Sequence, residues 1–321
     1  MIADGPSPGE AHLLALRGGR RLAFSDIGDA RGDPVVYCHG FPSSRREAQL
    51  LHPTARGRRI RILAPDRPGC GDSDHQPGRD LDDWAGDVAA LADHLGLARF
   101  ALLGVSGGAP YALTCAWRLP TRVSACALVC PLGPVYLGEI LSAMAWPSRL
   151  LLGSARRAPW LPPLLFGGLI ARALARRPDR VEELRAFHAP PADRDALARP
   201  EVKAILGATV RDAMQHGARG ALEDLRLYTS PWGIPLHEIQ PAVHLWHGES
   251  EGTVPIAHAH WYERHLSRPR AHYLPAEGHY SLPLRHAGAI LASLVETETC
   301  SPKAHSPRGK SKGPRHGCPE N

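Results

Sequence analysis

The chain has 321 residues, 43% of them hydrophobic, and carries 38 lysines and arginines against 32 acidic residues, a formal charge of +6. That composition buries a substantial core in one large or two ordinary domains and excludes a disordered or fibrous chain. Of the +6, residues 300–321 hold +4 (Lys303, Arg308, Lys310, Lys312 and Arg315 against Glu320), leaving only +2 for residues 1–299, so no nucleic-acid partner is expected.

His12 to Leu16 and Arg21 to Ile27 alternate apolar and polar residues around Arg17-Gly18-Gly19-Arg20, which predicts an antiparallel hairpin. Pro34 to Cys38 is a short strand leading into His39-Gly40-Phe41-Pro42, and a serine-capped helix is expected from about Ser44 to Ala55. Ile60 to Ala64 reads as a buried strand ending in the turn-rich loop Asp66 to Ser73. Leu81, Trp84, Val88, Leu91 and Leu95 recur at helical spacing behind Asp80. Phe100 to Val105 and Val123 to Cys130 are further apolar strands, with a helix-length apolar pattern after Ser106. Strands alternating with helices imply βαβ units and a mostly parallel sheet.

From about Leu132 to Ser230 the pattern is helical and interrupted by prolines, with helices expected over Glu201 to Gln215 and Ala221 to Tyr228. An insertion is the simplest reading. Its stretch 160–175 is strongly apolar yet broken by Pro162, Pro163 and glycines, as suits a helix packed on the main domain. The βα pattern resumes with strands Ala242 to Trp246 and Arg270 to Leu274 and helices Ile256 to Leu266 and Tyr280 to Val295. The expected organisation is a core in two parts, residues 1–133 and 231–299, a helical cap over 134–230, and a disordered basic tail over 300–321.

Seven cysteines without metal-type spacing read as free thiols in a reducing compartment. The N-terminus lacks the features of a secretory signal and no apolar run reaches membrane-spanning length, so the expectation is a cytoplasmic protein with no membrane span.

The chemistry centres on Gly104-Val105-Ser106-Gly107-Gly108, placed between a strand and a helix. A serine at such a turn projects its hydroxyl out of the sheet, and the glycines admit a tight backbone and close substrate approach. With 32 glycines in the chain the pattern alone is weak, and its strand–turn–helix context gives it weight. A serine nucleophile needs a base and the base a carboxylate. His247 to Pro255 follows one resumed strand, and Glu277-Gly278-His279 follows the last, so an acid and a histidine emerge where ligands gather in parallel sheets, outside the strands' carboxyl ends.

Taken in order, His39-Gly40-Phe41-Pro42, the Asp66-to-Ser73 loop, the Gly104-to-Gly108 elbow, the His247-to-Pro255 loop and Gly278-His279 make residues 12 to about 297 resemble the α/β-hydrolase fold family, in its branch with a helical cap. The resemblance implies a mostly parallel eight-stranded sheet with helices on both faces. It implies Ser106 as nucleophile, His279 as general base and then acid, and the amides of Phe41 and Gly107 as oxyanion-hole donors. The acid departs from pattern: Glu251 stands where the family usually has Asp, with Glu249 as rival, and Pro131 to Pro134 offers none of the acids some relatives use there.

His39 is expected to be structural, and His244, His247, His258, His260 and His265 to be packing or surface residues; no metal or cofactor is expected. Trp117 and Trp246 are expected in the core. The functional expectation is a cofactor-free serine hydrolase acting on a small-molecule ester or related acyl bond. Acyl transfer, C–C hydrolysis and peptide cleavage by the same residues remain open, as does a non-catalytic ligand-binding protein. Epoxide hydrolysis and dehalogenation are disfavoured, because the family uses Asp for them where Ser106 stands.

Overall fold

A computed structural model describes residues 10–158, 160–162, 176 and 189–295. Most of the apolar stretch 160–175 and the whole tail 300–321, with Cys300 and Cys318, lie outside the described residues.

The eight strands are β1 (His12–Ala15), β2 (Arg21–Gly28), β3 (Asp33–Cys38), β4 (Ile60–Pro65), β5 (Phe100–Val105), β6 (Val123–Val129), β7 (Ala242–Gly248) and β8 (Pro269–Leu274). They form one sheet in the order β1-β2-β4-β3-β5-β6-β7-β8. The β1–β2 and β2–β4 pairs are antiparallel, and every other pair is parallel. Strand β5 is buried at all six positions, as a parallel strand covered on both faces must be.

Helices cover both faces. On one side α2 (Leu81–His94) and α3 (Ala109–Arg118) pack Trp84, Val88, Leu91, Tyr111 and Leu113 against Val36, Leu102 and Leu128. On the other, Leu51, Ala55, Ile290 and Leu291 meet Val35, Leu103 and Val129. Asp80 and Asp83 form a reciprocal capping box that starts α2.

Two helices are divided where the sequence pattern reads as continuous. The segment after Ser44 is a 3₁₀ helix (Arg45–Leu51) followed by α1 (His52–Gly57). Pro53 sits in the first turn of α1, where its missing N–H costs least, and it could not continue the preceding turn. The closing segment is α10 (Ser281–Arg285) and α11 (Ala287–Val295), separated at His286.

Between β6 and β7 the described residues contain helices and no strand: α4 (Gly138–Ala143), α5 (Trp146–Arg157), α6 (Pro191–Leu197), α7 (Pro200–Met214) and α8 (Arg219–Tyr228), then a 3₁₀ turn. Helix α9 (Ala257–His265) joins β7 to β8. No described helix is long and apolar enough to cross a membrane.

Candidate active site

Four adjacent parallel strands, β5, β6, β7 and β8, end at Ser106, Cys130, the Glu251 loop and the His279 loop respectively. The carboxyl edge of the sheet thus gathers the chemically reactive side chains, as the topology of parallel sheets dictates.

Ser106 stands at φ 52°, one of three described non-glycine residues with positive φ, and is 9% exposed. A serine in that left-handed region is strained, and the turn is fixed from both sides. The Ser106 carbonyl accepts from Leu132 N at 3.0 Å. A Cβ on Gly108 would lie 2.0 Å from the Cys38 carbonyl oxygen, and one on Gly107 would lie 2.5 Å from the Tyr228 hydroxyl and 2.9 Å from the Phe41 Cβ. The glycines are therefore required by close approach, and Phe41 and Gly107 are brought side by side. Gly107 lies in the first turn of the 3₁₀ segment Ser106–Gly108 that leads into α3, where backbone amides have no intrahelical partner.

His279 and Glu251 are in contact: His279 Nδ1 donates to Glu251 Oε2 at 2.8 Å. Glu251 Oε1 accepts from Thr253 N at 2.6 Å and Val254 N at 3.0 Å, so both carboxylate oxygens are engaged. Burial opposes ionisation of Glu251, but His279 and the Val254 amide outweigh it and hold the carboxyl below the ordinary glutamate value. Burial also opposes the charged imidazole, but Glu251, Asp193 and Glu47 outweigh it, and His279 titrates above the ordinary histidine value. Glu249, in contrast, faces solvent, and its structural contact is made by its amide, which donates to Leu274 O at 3.0 Å. Val105, Glu47, His279 and Tyr280 line one small apolar cavity of about 40 Å³, walled outside by Val202 and Leu206 of α7.

The loop carrying Phe41 is clamped by buried charges that sequence reasoning missed. Arg67 donates to His39 O at 2.5 Å and Gly40 O at 2.7 Å, and Glu47 Oε2 accepts from Gly40 N at 2.6 Å. His39 is structural as expected: its Nε2 accepts from Arg67 N at 3.2 Å, and burial with nearby Arg67 keeps the ring neutral. Arg67 itself pairs with Asp224 of α8 at 2.8 Å, and the other carboxylate oxygen of Asp224 accepts from Arg79 and, at 2.6 Å, from Tyr111. Tyr228, one turn on, donates to Gly107 O at 2.9 Å.

Five further histidines singled out from the sequence make packing or local contacts. His258 Nδ1 accepts from Gly133 N at 2.9 Å, His244 stacks on His272, and His247 is fully buried; burial lowers all three to about 4. His265 stacks on Trp261, His260 contacts Tyr273, and Trp246 is buried against His272. Trp117 is half-buried beneath Arg118.

Among the described residues, Cys130, Glu251 and His279 have ligand-type atoms within 4.8 Å of one another. The direct 2.8 Å hydrogen bond fills the gap an ion would take, and burial with neighbouring Glu251 pushes the Cys130 thiol well up, so it is neutral. The five described cysteines are free and buried.

Among known proteins, a non-heme haloperoxidase of Rhodococcus erythropolis is 26% identical over 251 residues, 75% of this chain and 82% of the relative. Other relatives match at higher identity over shorter stretches. The dihydrolipoyllysine-residue acetyltransferase component of the acetoin cleaving system of Pseudomonas putida is 36% identical over 141 residues, and a non-heme chloroperoxidase of Streptomyces lividans 39% over 122. Those stretches cover 44% and 36% of this chain but only 36% and 43% of the two relatives. In fold, the chain is similar to a bromoperoxidase from Bacillus anthracis, with a TM-score of 0.68 at 17% identity over 90% of this chain and all of that one. An esterase from Exiguobacterium antarcticum gives 0.64 at 18% identity, over 89% and 98%. A family model described as the alpha/beta hydrolase fold matches residues 33–283, which hold six of the eight strands, β3 to β8, and the loops carrying Ser106, Glu251 and His279; the chain belongs to the α/β-hydrolase fold family.

Proposed function

We propose that the protein is a serine hydrolase that cleaves a carboxylic ester or related acyl bond through an acyl-enzyme intermediate. The observation that carries this reading is the buried His279–Glu251 hydrogen bond of 2.8 Å, on the sheet edge that also holds a strained serine. A base oriented by a carboxylate is the arrangement that activates a hydroxyl nucleophile.

In this mechanism Ser106 Oγ attacks the substrate carbonyl carbon while His279 Nε2 takes its proton. The imidazolium is stabilised by Glu251 through Nδ1–H, and the oxyanion accepts from the amides of Gly107 and Phe41. His279 then gives its proton to the leaving alcohol. A water deprotonated by the same nitrogen attacks the acyl carbon, and collapse of the second tetrahedral intermediate returns the proton to Ser106 and releases the acid. No step needs a metal or cofactor. Residues 134–230 act as a cap on a core formed by residues 1–133 and 231–299.

Ser106→Ala is expected to cut hydrolysis of short acyl esters by about a thousandfold or more, and a fluorophosphonate to label Ser106 of the wild type. Unchanged hydrolysis in the variant overturns the reading, and absence of labelling favours a binding protein. Glu251→Gln is expected to lower kcat by about a thousandfold while Glu249→Gln stays within about twofold. Equal retention in both would remove Glu251 from the mechanism.

A further inference from the structure

Asp193 lies in the first turn of α6, within the segment between β6 and β7, yet its carboxylate is 1% exposed and spent on a loop 86 to 88 residues away. Oδ2 accepts from His279 N at 2.8 Å, and Oδ1 accepts from Tyr280 N at 2.9 Å and Ser281 N at 2.8 Å. A Cβ on Gly278 would lie 2.4 Å from the same carboxylate, so the glycine before His279 exists to admit it.

Among the described residues Asp193 forms no ion pair; three neutral amides satisfy it. A buried carboxylate held only by dipoles keeps its field unneutralised in a medium of low dielectric constant, where a nearby imidazolium feels it strongly. The main chain it grips is that of His279, the one ring required to become charged during the proposed reaction.

We propose that Asp193 is a positioning residue for His279, fixing residues 279–281 from the insertion and setting a second carboxylate on the backbone that carries the imidazole. This rests on the reading of His279 as the general base. Glu251 orients the ring through Nδ1, while Asp193 fixes the backbone that carries it, so removing either carboxylate weakens the imidazolium without touching Ser106. Among the described residues the other titratable groups facing the ring are Glu47 on the first 3₁₀ helix, Cys130 after β6, His247 on β7 and Tyr280, whose ring packs edge-on against it at 5.2 Å. Of these only Glu47 is a carboxyl besides the two named ones; burial raises it above the ordinary glutamate value, and it serves Gly40 N.

The test is titration of the His279 ring by NMR in the full-length wild type and D193N, the resonance being assigned by its loss in H279Q. The pH dependence of kcat/KM for a short p-nitrophenyl ester is measured alongside. D193N is expected to lower the ring's apparent pKa by about one unit and to move the acid limb of kcat/KM down with it. It should lower kcat about tenfold with KM within about threefold. A D193N ring that titrates as in the wild type overturns the proposal, even if thermal stability falls, because a purely structural anchor would do that. D193S, whose hydroxyl keeps one acceptor, is expected to shift the ring in the same direction and replaces D193N should the amide fail to fold. In the wild type alone, a ring that titrates below about 6.5 overturns the proposal without any variant. If the serine-hydrolase reading itself is wrong, Ser106-dependent hydrolysis is absent while the ring titration still follows Asp193, so the two failures are distinguishable.

Discussion

On the Phe41 side of the site the insertion contributes Asp224, and on the His279 side Asp193, two carboxylates that are both 1% exposed. Asp224 meets cations: Arg67 and Arg79, side chains 0% and 1% exposed, share its oxygens with Tyr111. Burial opposes its ionisation, but the two guanidiniums outweigh that and bring the carboxyl down to about 2. Asp193, among the described residues, meets only amides. The first contact is a charge-compensated clamp around the loop that carries Phe41, where the proposed reaction changes the charge of no protein group. The second leaves its field available to the ring that, in the proposed mechanism, changes charge in every turnover. What one contact supplies in rigidity, the other supplies in electrostatic bias.

The comparison breaks most violently at Asp224. In Asp224→Ala two buried guanidiniums lose their counter-ion, and the expected loss is about 3–5 kcal/mol, a large share of the stability of an ordinary domain. Chemical denaturation reads it directly, and a variant with the wild-type midpoint would show that Arg67 and Arg79 find compensation elsewhere. The pH dependence has a definite sign. Asp224 has a folded pKa depressed below its unfolded value, so its contribution is full above about pH 4 and is lost as pH falls toward 2.

On the other side the sign reverses. His279 is raised above its ordinary value, so the stability it contributes is full below about pH 6.5 and is lost as pH rises through its folded pKa. In the proposed mechanism catalysis runs the opposite way, because His279 must be neutral to act as the base. The acid limb of kcat/KM is expected above about pH 6.5, with a decline in stability over the same interval. A limb well below that pH would mean that burial, and not the surrounding carboxylates, dominates the ring.

How much of this the sequence disclosed follows from range. Ser106, Gly107 and Gly108 are legible because the demand on them is local: a strand, a turn without room for a Cβ and a helix lie within a few residues. His279 and Glu251 sit just after β8 and β7, at the edge where topology puts functional groups. Asp193 and Asp224 had no such signal. Each is an ordinary acid in a helical insertion, and their partners lie 86 to 88 and 113 to 157 residues away. Arg67 was hidden in a loop of turn formers. The broken helices at Pro53 and His286 show the same limit in reverse, since hydrophobic spacing continues smoothly across a backbone break.

The smallest effect tests whether the insertion also touches the elbow. Tyr228 donates to Gly107 O at 2.9 Å, and its ring packs edge-on against Phe41 at 5.5 Å and Tyr111 at 6.2 Å. Tyr228→Phe keeps those ring contacts and deletes one neutral hydrogen bond, leaving a buried carbonyl unsatisfied. The expected cost is about 1 kcal/mol, a fall of about 2 °C in melting temperature for a chain of this size. The Gly107 carbonyl belongs to the peptide next to the one whose N–H is assigned to the oxyanion hole, so kcat should fall only a few-fold. A larger fall in kcat than in stability would mean that Tyr228 holds the plane of the elbow and not merely its packing. The compensated clamp would then extend from Asp224 along α8 to the nucleophile, leaving the base side as the one part of the site governed by an uncompensated charge.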